Sequence, residues 1–320
     1  MRILIADKFP ADSMDELRAA GHEVEFAPDL DADDLATALS AHQAVVVRST
    51  RVTGAAIAAN DDLELIVRAG AGTNTIDVAA ATINSTVVCN TPGRNAVAVA
   101  ELAIGLILAI DRNIPDNVAE LRSGGWNKKR WSRARGLKGR TLGIVGFGDI
   151  GAEVASRAAA FGLAIVTVDR SGRSEAALER LSQLDVATVP DLEGLFAAAD
   201  IVSFHVPSVP GTAGMIGREL LGHVRRGTVI INTSRGEIID EEALLEVIDE
   251  KDLRIGVDVY LDEPGAGENT FDSAFARHPR VYGTHHIGAS TDQAQRAVAE
   301  EVVAVIQSFA AGHVRNQVSG

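Results

Sequence analysis

Cysteine is nearly absent from this chain. Among 320 residues only Cys89 carries a thiol, which excludes an internal disulfide and a cysteine-built zinc site. It follows Val87-Val88 and reads as a small buried hydrophobe rather than a nucleophile. Long apolar runs are missing too. The longest, Leu102 to Ile110 within Ala96–Ile110, is too short to span a bilayer and the stretch contains Glu101, so it reads as a buried helix. Positive charge is scarce: 30 Lys and Arg against 44 Asp and Glu leave a net charge of −14. Long-range repulsion then argues against nonspecific nucleic-acid binding and against anionic membranes. The opening Met1-Arg2-Ile3-Leu4-Ile5-Ala6-Asp7 is a short strand meeting an acid, not a secretory signal, and a cytoplasmic location is expected. No internal repeat with a period of roughly 20–50 residues is visible.

What remains is an ordinary globular composition, 46% hydrophobic and 23% charged, long enough for two domains. Strand-like and helix-like segments alternate from end to end, the mark of parallel sheets with crossover helices. Strands are expected at Arg2–Ala6, Glu23–Phe26, Ala44–Val47, Leu63–Val67 and Val87–Asn90. A polar connection, Asp111 to Arg140, precedes seven more: Thr141–Val145, Ala164–Val168, Val186–Val189, Ile201–Phe204, Thr228–Asn232, Arg254–Val259 and Val281–Gly283. Turn-rich pieces such as Glu263 to Glu268 separate them, and a terminal amphipathic helix, Ala289–Ala311, follows. The expected class is α/β with two doubly wound parallel sheets. A Rossmann-type domain, 97–288, is inserted into a flavodoxin-like domain, 1–96 with 289–320, and the cleft between them is the default ligand site.

The stretch Thr141 to Gly151 carries the strongest signal. A strand runs into Gly146-Phe147-Gly148-Asp149-Ile150-Gly151, and Ala152–Phe161 reads as a helix. In this Gly-x-Gly-x-x-Gly pattern Gly146 permits the tight turn, Gly148 lets a pyrophosphate approach the backbone, and Gly151 lets the helix pack on its strand. The helix start faces the anion. Beyond it, Ala164–Val168 ends in Asp169, whose carboxylate suits ribose hydroxyls and opposes a 2′-phosphate. NAD is therefore expected over NADP, although Arg170 and Arg173 stand nearby.

Three later strands end in polar groups: Arg235 in Asn232 to Asp240, Glu263 in Gly256 to Pro264, and His286 in Gly283 to Thr291. Hydride transfer to a carbonyl needs a proton donor, a partner that holds the donor, and an anchor for the substrate. Histidine, carboxylate and guanidinium fill those roles. Taken alone, Arg235 fits equally well a salt bridge to Asp240, Glu241 or Glu242 at the next helix start. His22, His42, His223, His278 and His313 read as solvated, while His205, after a buried strand, is placed to line the adenine side of a cofactor site. A zinc site from His285 and His286 is not expected, because neighbours in an extended segment point opposite ways. No metal is expected elsewhere.

These residues together resemble the D-isomer-specific 2-hydroxyacid dehydrogenases over nearly the whole chain. The resemblance implies that Arg235, Glu263 and His286 are catalytic, with His286 rather than His285 as acid/base, and that His285 replaces a usual proline. It carries the family's cofactor contacts to Asp149, Ile150, Asp169, Val206 with Pro207, Thr233 with Ser234, Arg235, Asp258, Gly288 and Ala289, with Asp258 accepting from the nicotinamide carboxamide. Segments around Arg48, Arg51, Arg68 and Asn90 to Asn95 are similar to those of D-3-phosphoglycerate dehydrogenases. That similarity implies that the three arginines approach the substrate and that Gly70, Ala71 and Gly72 cradle its carboxylate. Lys128, Lys129, Arg130, Arg133 and Arg135 either recruit a phosphorylated acid or form a solvated charge run, with Trp126 and Trp131 beside them as packing or interface anchors. The expected activity is oxidation of a small D-2-hydroxy acid, 3-phospho-D-glycerate first. A glyoxylate or hydroxypyruvate reductase is the nearest alternative, and an NAD(H)-sensing, corepressor-like protein the alternative of another class. A homodimer built on the Ala96–Ile110 helix is expected. Feedback through an added C-terminal domain is not, since the sequence stops at Gly320.

Overall fold

The computed structural model describes residues 1–264 and 270–318. The turn read at Gly265 to Glu268 lies outside the described residues. Two compact units emerge, Met1–Asn95 with 289–318 and Ala96–Pro264 with 270–288.

In the first unit, β1 (Arg2–Ile5), β2 (Glu23–Phe26), β3 (Ala44–Val47), β4 (Leu65–Arg68) and β5 (Val87–Cys89) form one parallel sheet in the order β2-β1-β3-β4-β5. That is the doubly wound order in which neighbouring strands diverge between β1 and β3. Burial on both faces explains the run of β-branched residues: all four residues of β3 are inaccessible. Ile3, Ile5, Val46 and Val67 face one way and pack with Val302, Val305 and Ile306 of the last helix, Asp292–Ala310. Leu4, Val45, Val47 and Ile66 face the other and pack with Leu35 and Ile57. Cys89 is buried, and burial pushes its thiol up to about 11. That leaves it unreactive.

The second unit holds β6 (Thr141–Val145), β7 (Ala164–Val168), β8 (Ala187–Val189), β9 (Ile201–Phe204), β10 (Val229–Asn232), β11 (Arg254–Val257) and β12 (Val281–Gly283). All seven run parallel in the order β12-β11-β10-β9-β6-β7-β8. The switch point here lies between β6 and β9. One face is covered by the helices Ala96–Asp111 and Asp149–Ala160, the other by a cluster around Phe196, Phe204, Leu221 and Leu244.

Several boundaries move for local reasons. The helix after the glycine turn begins at Asp149, not Ala152, so Gly151 lies inside its first turn. The terminal helix begins at Asp292 because the Thr291 side chain accepts the Ala294 N–H and caps it there. The polar connection is structured. It contains helices Ile114–Arg122 and Lys128–Trp131, and its ends are closed by a buried Asp111–Arg140 ion pair at 3.0 Å. His42 is buried rather than solvated, its Nδ1 2.8 Å from the Ala38 carbonyl and its Nε2 3.2 Å from Glu25. The Ala96–Asp111 helix packs on the Asp149–Ala160 helix and on β10 and β11, with ten of its residues buried. The exposed apolar row belongs to the next segment, where Ile114, Val118, Leu121 and Trp126 are 48%, 37%, 55% and 82% accessible. Among the described residues no helix is long and apolar enough to cross a membrane, and no group of three or more metal-ligating side chains is assembled.

Candidate active site

In the second unit the glycine turn sits at the carboxyl end of β6, beside β9. Gly146 takes a φ of +95°, and a Cβ there would lie 2.3 Å from the His205 carbonyl oxygen. The chain can follow that path only without a side chain. A Cβ on Gly151 would lie 2.2 Å from the Gly146 carbonyl oxygen, so the third glycine seats the helix on the turn. Gly148 is different: no protein atom lies within 4 Å of its Cβ position. It begins the helix without a side-chain cap, which leaves the first helical N–H groups for an outside acceptor.

Around this turn Asp169 follows β7, with its N–H bonded to the Val189 carbonyl at 2.6 Å. Arg173 folds back to donate to the Val168 carbonyl at 2.5 Å, and Arg180 pairs with Asp149 at 2.8 Å. Two of the nearby cationic groups are thus occupied by the protein. The His205 imidazole lies 2.9 Å from Ser203 Oγ through Nε2. Burial pushes it down to about 3, so it stays neutral at ordinary pH, with one ring nitrogen a donor and the other an acceptor. Its Nδ1 and the Thr233 hydroxyl are buried polar atoms with no partner within the protein. Such atoms ask for one, and both belong to segments assigned to the cofactor.

Arg235, Glu263 and His286 follow three adjacent strands, β10, β11 and β12. The Arg235 turn is set by Asn232, which is fully buried: its Nδ2 donates to the Arg235 carbonyl at 2.8 Å, and its Oδ1 accepts the Ser234 N–H at 3.0 Å and hydroxyl at 2.8 Å. His286 adopts φ +51°, a left-handed conformation that a non-glycine residue keeps only when its surroundings impose it. Asp258 imposes it. Its carbonyl accepts the His286 N–H at 2.8 Å, and its buried carboxylate accepts from Thr284 (2.6 Å), Ile287 (2.9 Å) and Gly288 (2.7 Å). The carboxylate that the resemblance assigns to the nicotinamide thus also grips the loop that carries His286.

His286 Nδ1 stands 2.6 Å from Glu263 Oε2, and Glu263 Oε1 accepts the Tyr260 N–H at 3.0 Å. Burial raises the Glu263 carboxyl, but the bond to His286, the Tyr260 N–H and the Arg235 guanidinium outweigh it and hold the group below its ordinary range. Glu263 is therefore ionised and can only accept. It fixes the hydrogen on Nδ1 and leaves Nε2 for proton exchange. His286 itself is half-exposed, at 53% for its side chain. His285 takes no part in this bond.

The arginines expected to meet substrate lie in the first unit. Arg48 follows β3, and its Nη2 donates to Ser290 Oγ at 3.3 Å. Its backbone N–H, with those of Ser49 and Thr50, is held by Asp7 Oδ2 at 2.6, 3.0 and 3.1 Å. Arg51 is exposed. At the end of β4 the Arg68 guanidinium lies over Gly70, where a Cβ would be 1.3 Å from Nη1. Asn90 Nδ2 donates to the Ala71 carbonyl at 2.6 Å and the Thr91 N–H to the Gly70 carbonyl at 3.0 Å. The roles of Asp7 and Ser290 escaped the sequence reading, and Asn90 entered it only within the segment that carries the resemblance. Asp7, an acid just after a buried strand, left a local signal. In the basic run, Arg130 pairs with Glu120 at 3.7 Å and stacks on Trp131 at 4.4 Å, and Arg135 pairs with Asp200 at 3.1 Å. Lys128, Lys129 and Arg133 are exposed.

A seven-stranded parallel sheet with a glycine turn at its switch point and an acidic residue after the next strand defines a Rossmann-type dinucleotide-binding domain. Residues 104–288 match the model of the D-isomer specific 2-hydroxyacid dehydrogenase NAD-binding domain. The chain is 42% identical over 276 residues to the hydroxypyruvate reductase of Thermotoga maritima, covering 86% of this chain and 87% of that protein. It is 38% identical over 322 residues to the D-3-phosphoglycerate dehydrogenase of Methanocaldococcus jannaschii, covering 99% of this chain but 59% of that protein. The NAD+-bound 3-phosphoglycerate dehydrogenase structure from Entamoeba histolytica superposes with a TM-score of 0.82 at 30% identity, over 100% of this chain and 99% of that one. The chain belongs to the D-isomer-specific 2-hydroxyacid dehydrogenase family, and its cofactor is NAD.

Proposed function

We propose that this protein interconverts a D-2-hydroxy acid and its 2-oxo acid, with 3-phospho-D-glycerate the first candidate substrate. The observation that carries the reading is the 2.6 Å bond from His286 to an ionised Glu263, beside Arg235. In oxidation, His286 Nε2 takes the proton of the substrate hydroxyl, while Glu263 stabilises the imidazolium that forms. In reduction the same nitrogen returns it. Arg235 holds the substrate carboxylate through its planar fork. NAD, when bound, supplies the hydride acceptor or donor. Gly146, Gly148, Asp149, Ile150 and Gly151 would hold its pyrophosphate, Asp169 its ribose, and the unpartnered His205 Nδ1 and Thr233 hydroxyl line the same end of the sheet. In the first unit, Arg68 over Gly70 and the Asp7-held turn of Arg48 and Arg51 form cationic strand ends suited to a carboxylate or phosphate. Pairing of two copies along the Ala96–Asp111 helix, with the exposed Ile114, Val118, Leu121 and Trp126 that follow it, belongs to the same proposal, and so does a cytoplasmic site of action.

A panel of 2-oxo acids, phosphorylated and not, assayed with NADH and NADPH, tests this reading. Phosphohydroxypyruvate with NADH is expected to give the highest kcat/KM. The second reading, a hydroxypyruvate or glyoxylate reductase, rests on the 42% identity to a hydroxypyruvate reductase over 87% of its length. Good turnover of glyoxylate and hydroxypyruvate without phosphohydroxypyruvate would select it. Failure to turn over any acid, with NAD still bound, would favour a sensing role.

A further inference from the structure

Tyr260 touches the neighbours of all three proposed catalytic residues. Its backbone N–H donates to Glu263, and the next residue, Leu261, donates to Glu241 Oε1 at 3.3 Å. Its carbonyl lies against Gly236, the residue after Arg235: a Cβ there would sit 1.9 Å from Tyr260 O and 2.6 Å from Leu261 N. Its phenol reaches Gly283, three residues before His286, where a Cβ would sit 1.9 Å from Tyr260 Oη and 3.2 Å from Cζ. Both glycines keep an ordinary backbone, being absent from the positive-φ positions, so what they contribute is room. The ring is held edge-on by Phe271, with centroids 4.9 Å apart at 63°. Burial first, then the charges of Asp258, Glu263 and Glu241, push the hydroxyl up to about 12, so the phenol stays neutral.

We propose that Tyr260 is a positioning residue, wedged between Gly236 and Gly283, that sets how far apart the turns bearing Arg235, Glu263 and His286 stand. The hydrogen bonds of a parallel sheet space the strands themselves but not the loops beyond their ends, and a misplacement near 1 Å is enough to cost about a hundredfold in rate. The wedge fills that gap. The inference rests on the reading of His286 as the acid/base.

The test is a compensating pair. Gly283→Ala places a methyl on the phenol oxygen, and Tyr260→Phe removes only that oxygen, leaving a contact that a few tenths of an ångström relieve. Gly283→Ala is expected to lower kcat about thirtyfold with the KM and NAD affinity within about threefold of wild type, and to change the pH profile. Tyr260→Phe alone is expected to cost about threefold, and the double variant to recover at least about tenfold of the Gly283→Ala loss. Additive losses would overturn the proposal. Should Gly283→Ala not fold, Tyr260→Ala replaces it: a fall in kcat with little change in KM supports the wedge, and unchanged kcat refutes it. Crystal structures of the folded variants read the Glu263–His286 separation directly. A separation that lengthens on disturbing the wedge supports the proposal, and one that does not change overturns it, even if wild type turns over no acid tested. Absence of wild-type turnover, by contrast, sinks only the functional reading.

Discussion

The turn after β3 in the first unit and the turn after β6 in the second both leave a buried parallel strand at a switch point, yet they are fastened in opposite ways. The first is closed by the protein itself: one oxygen of Asp7 takes three successive backbone N–H groups. The second is left open. Its helix begins on Gly148 with no side-chain cap, whereas the helices beginning after Asp31, Ser174, Asp191 and Thr291 each start under a capping oxygen. An internal carboxylate satisfies the first set of donors permanently. In the second, no side chain caps the positive helix end, as the proposed pyrophosphate site requires. At the β6 turn, then, open donors and the glycine pattern coincide.

Three substitutions break or sharpen that contrast. The largest effect is expected where the open sheet edge carries its chemistry. His286→Gln should lower kcat about a thousandfold, since positioned acid–base groups contribute on the order of 10²–10⁴. NAD titration by fluorescence should stay near wild type, and an equal loss of cofactor binding would mean that His286 shapes the turn instead. Next is the closed turn. Asp7→Ala strands three N–H groups and should cost about 2 kcal/mol in a urea melt, with NAD affinity unchanged. A melt indistinguishable from wild type would show that water replaces the carboxylate there. Smallest is Gly148→Ala. No protein atom lies near its Cβ and its backbone is extended, so the melting temperature should hold. NAD affinity should fall about tenfold, because the methyl occupies space reserved for the pyrophosphate. A drop in melting temperature without loss of NAD binding would make Gly148 a structural glycine like Gly151.

Elements buried on both faces were legible from sequence, because a parallel strand needs a continuous β-branched run and its crossover helix an apolar stripe. All twelve strands lie within two residues of where the pattern placed them. The helix Ile114–Arg122 was not legible. Ile114, Val118 and Leu121 recur at helical spacing, but the helix buries none of its residues and starts after a left-handed Asn113, so the short period was lost in a polar connection. His42 misled because a buried histidine satisfied by a helix-end carbonyl looks, in sequence, like a solvated one. The Ala96–Ile110 helix was legible as a buried one, because its all-round apolar character reflects a position between a helix and a sheet. The site divides the same way. Gly146, Gly148, Gly151 and Asp169 stand at fixed intervals and announce themselves, whereas Asp7, Asn90 and Tyr260 act across 19 to 43 residues of intervening chain.

Local spacing alone determined the alternation of strand and helix, the dinucleotide fingerprint, and the residue types available at each strand end. These depend on neighbours a few positions apart, where periodicity and turn chemistry operate. The tertiary structure decided which polar ends close on themselves and which stay open. It also decided that Asp258 grips the His286 loop, and that Tyr260 fills the space two glycines leave, its carbonyl against Gly236 and its phenol against Gly283. Those outcomes depend on strands distant in the chain lying side by side, and no local pattern encodes the ångström-scale clearances between them.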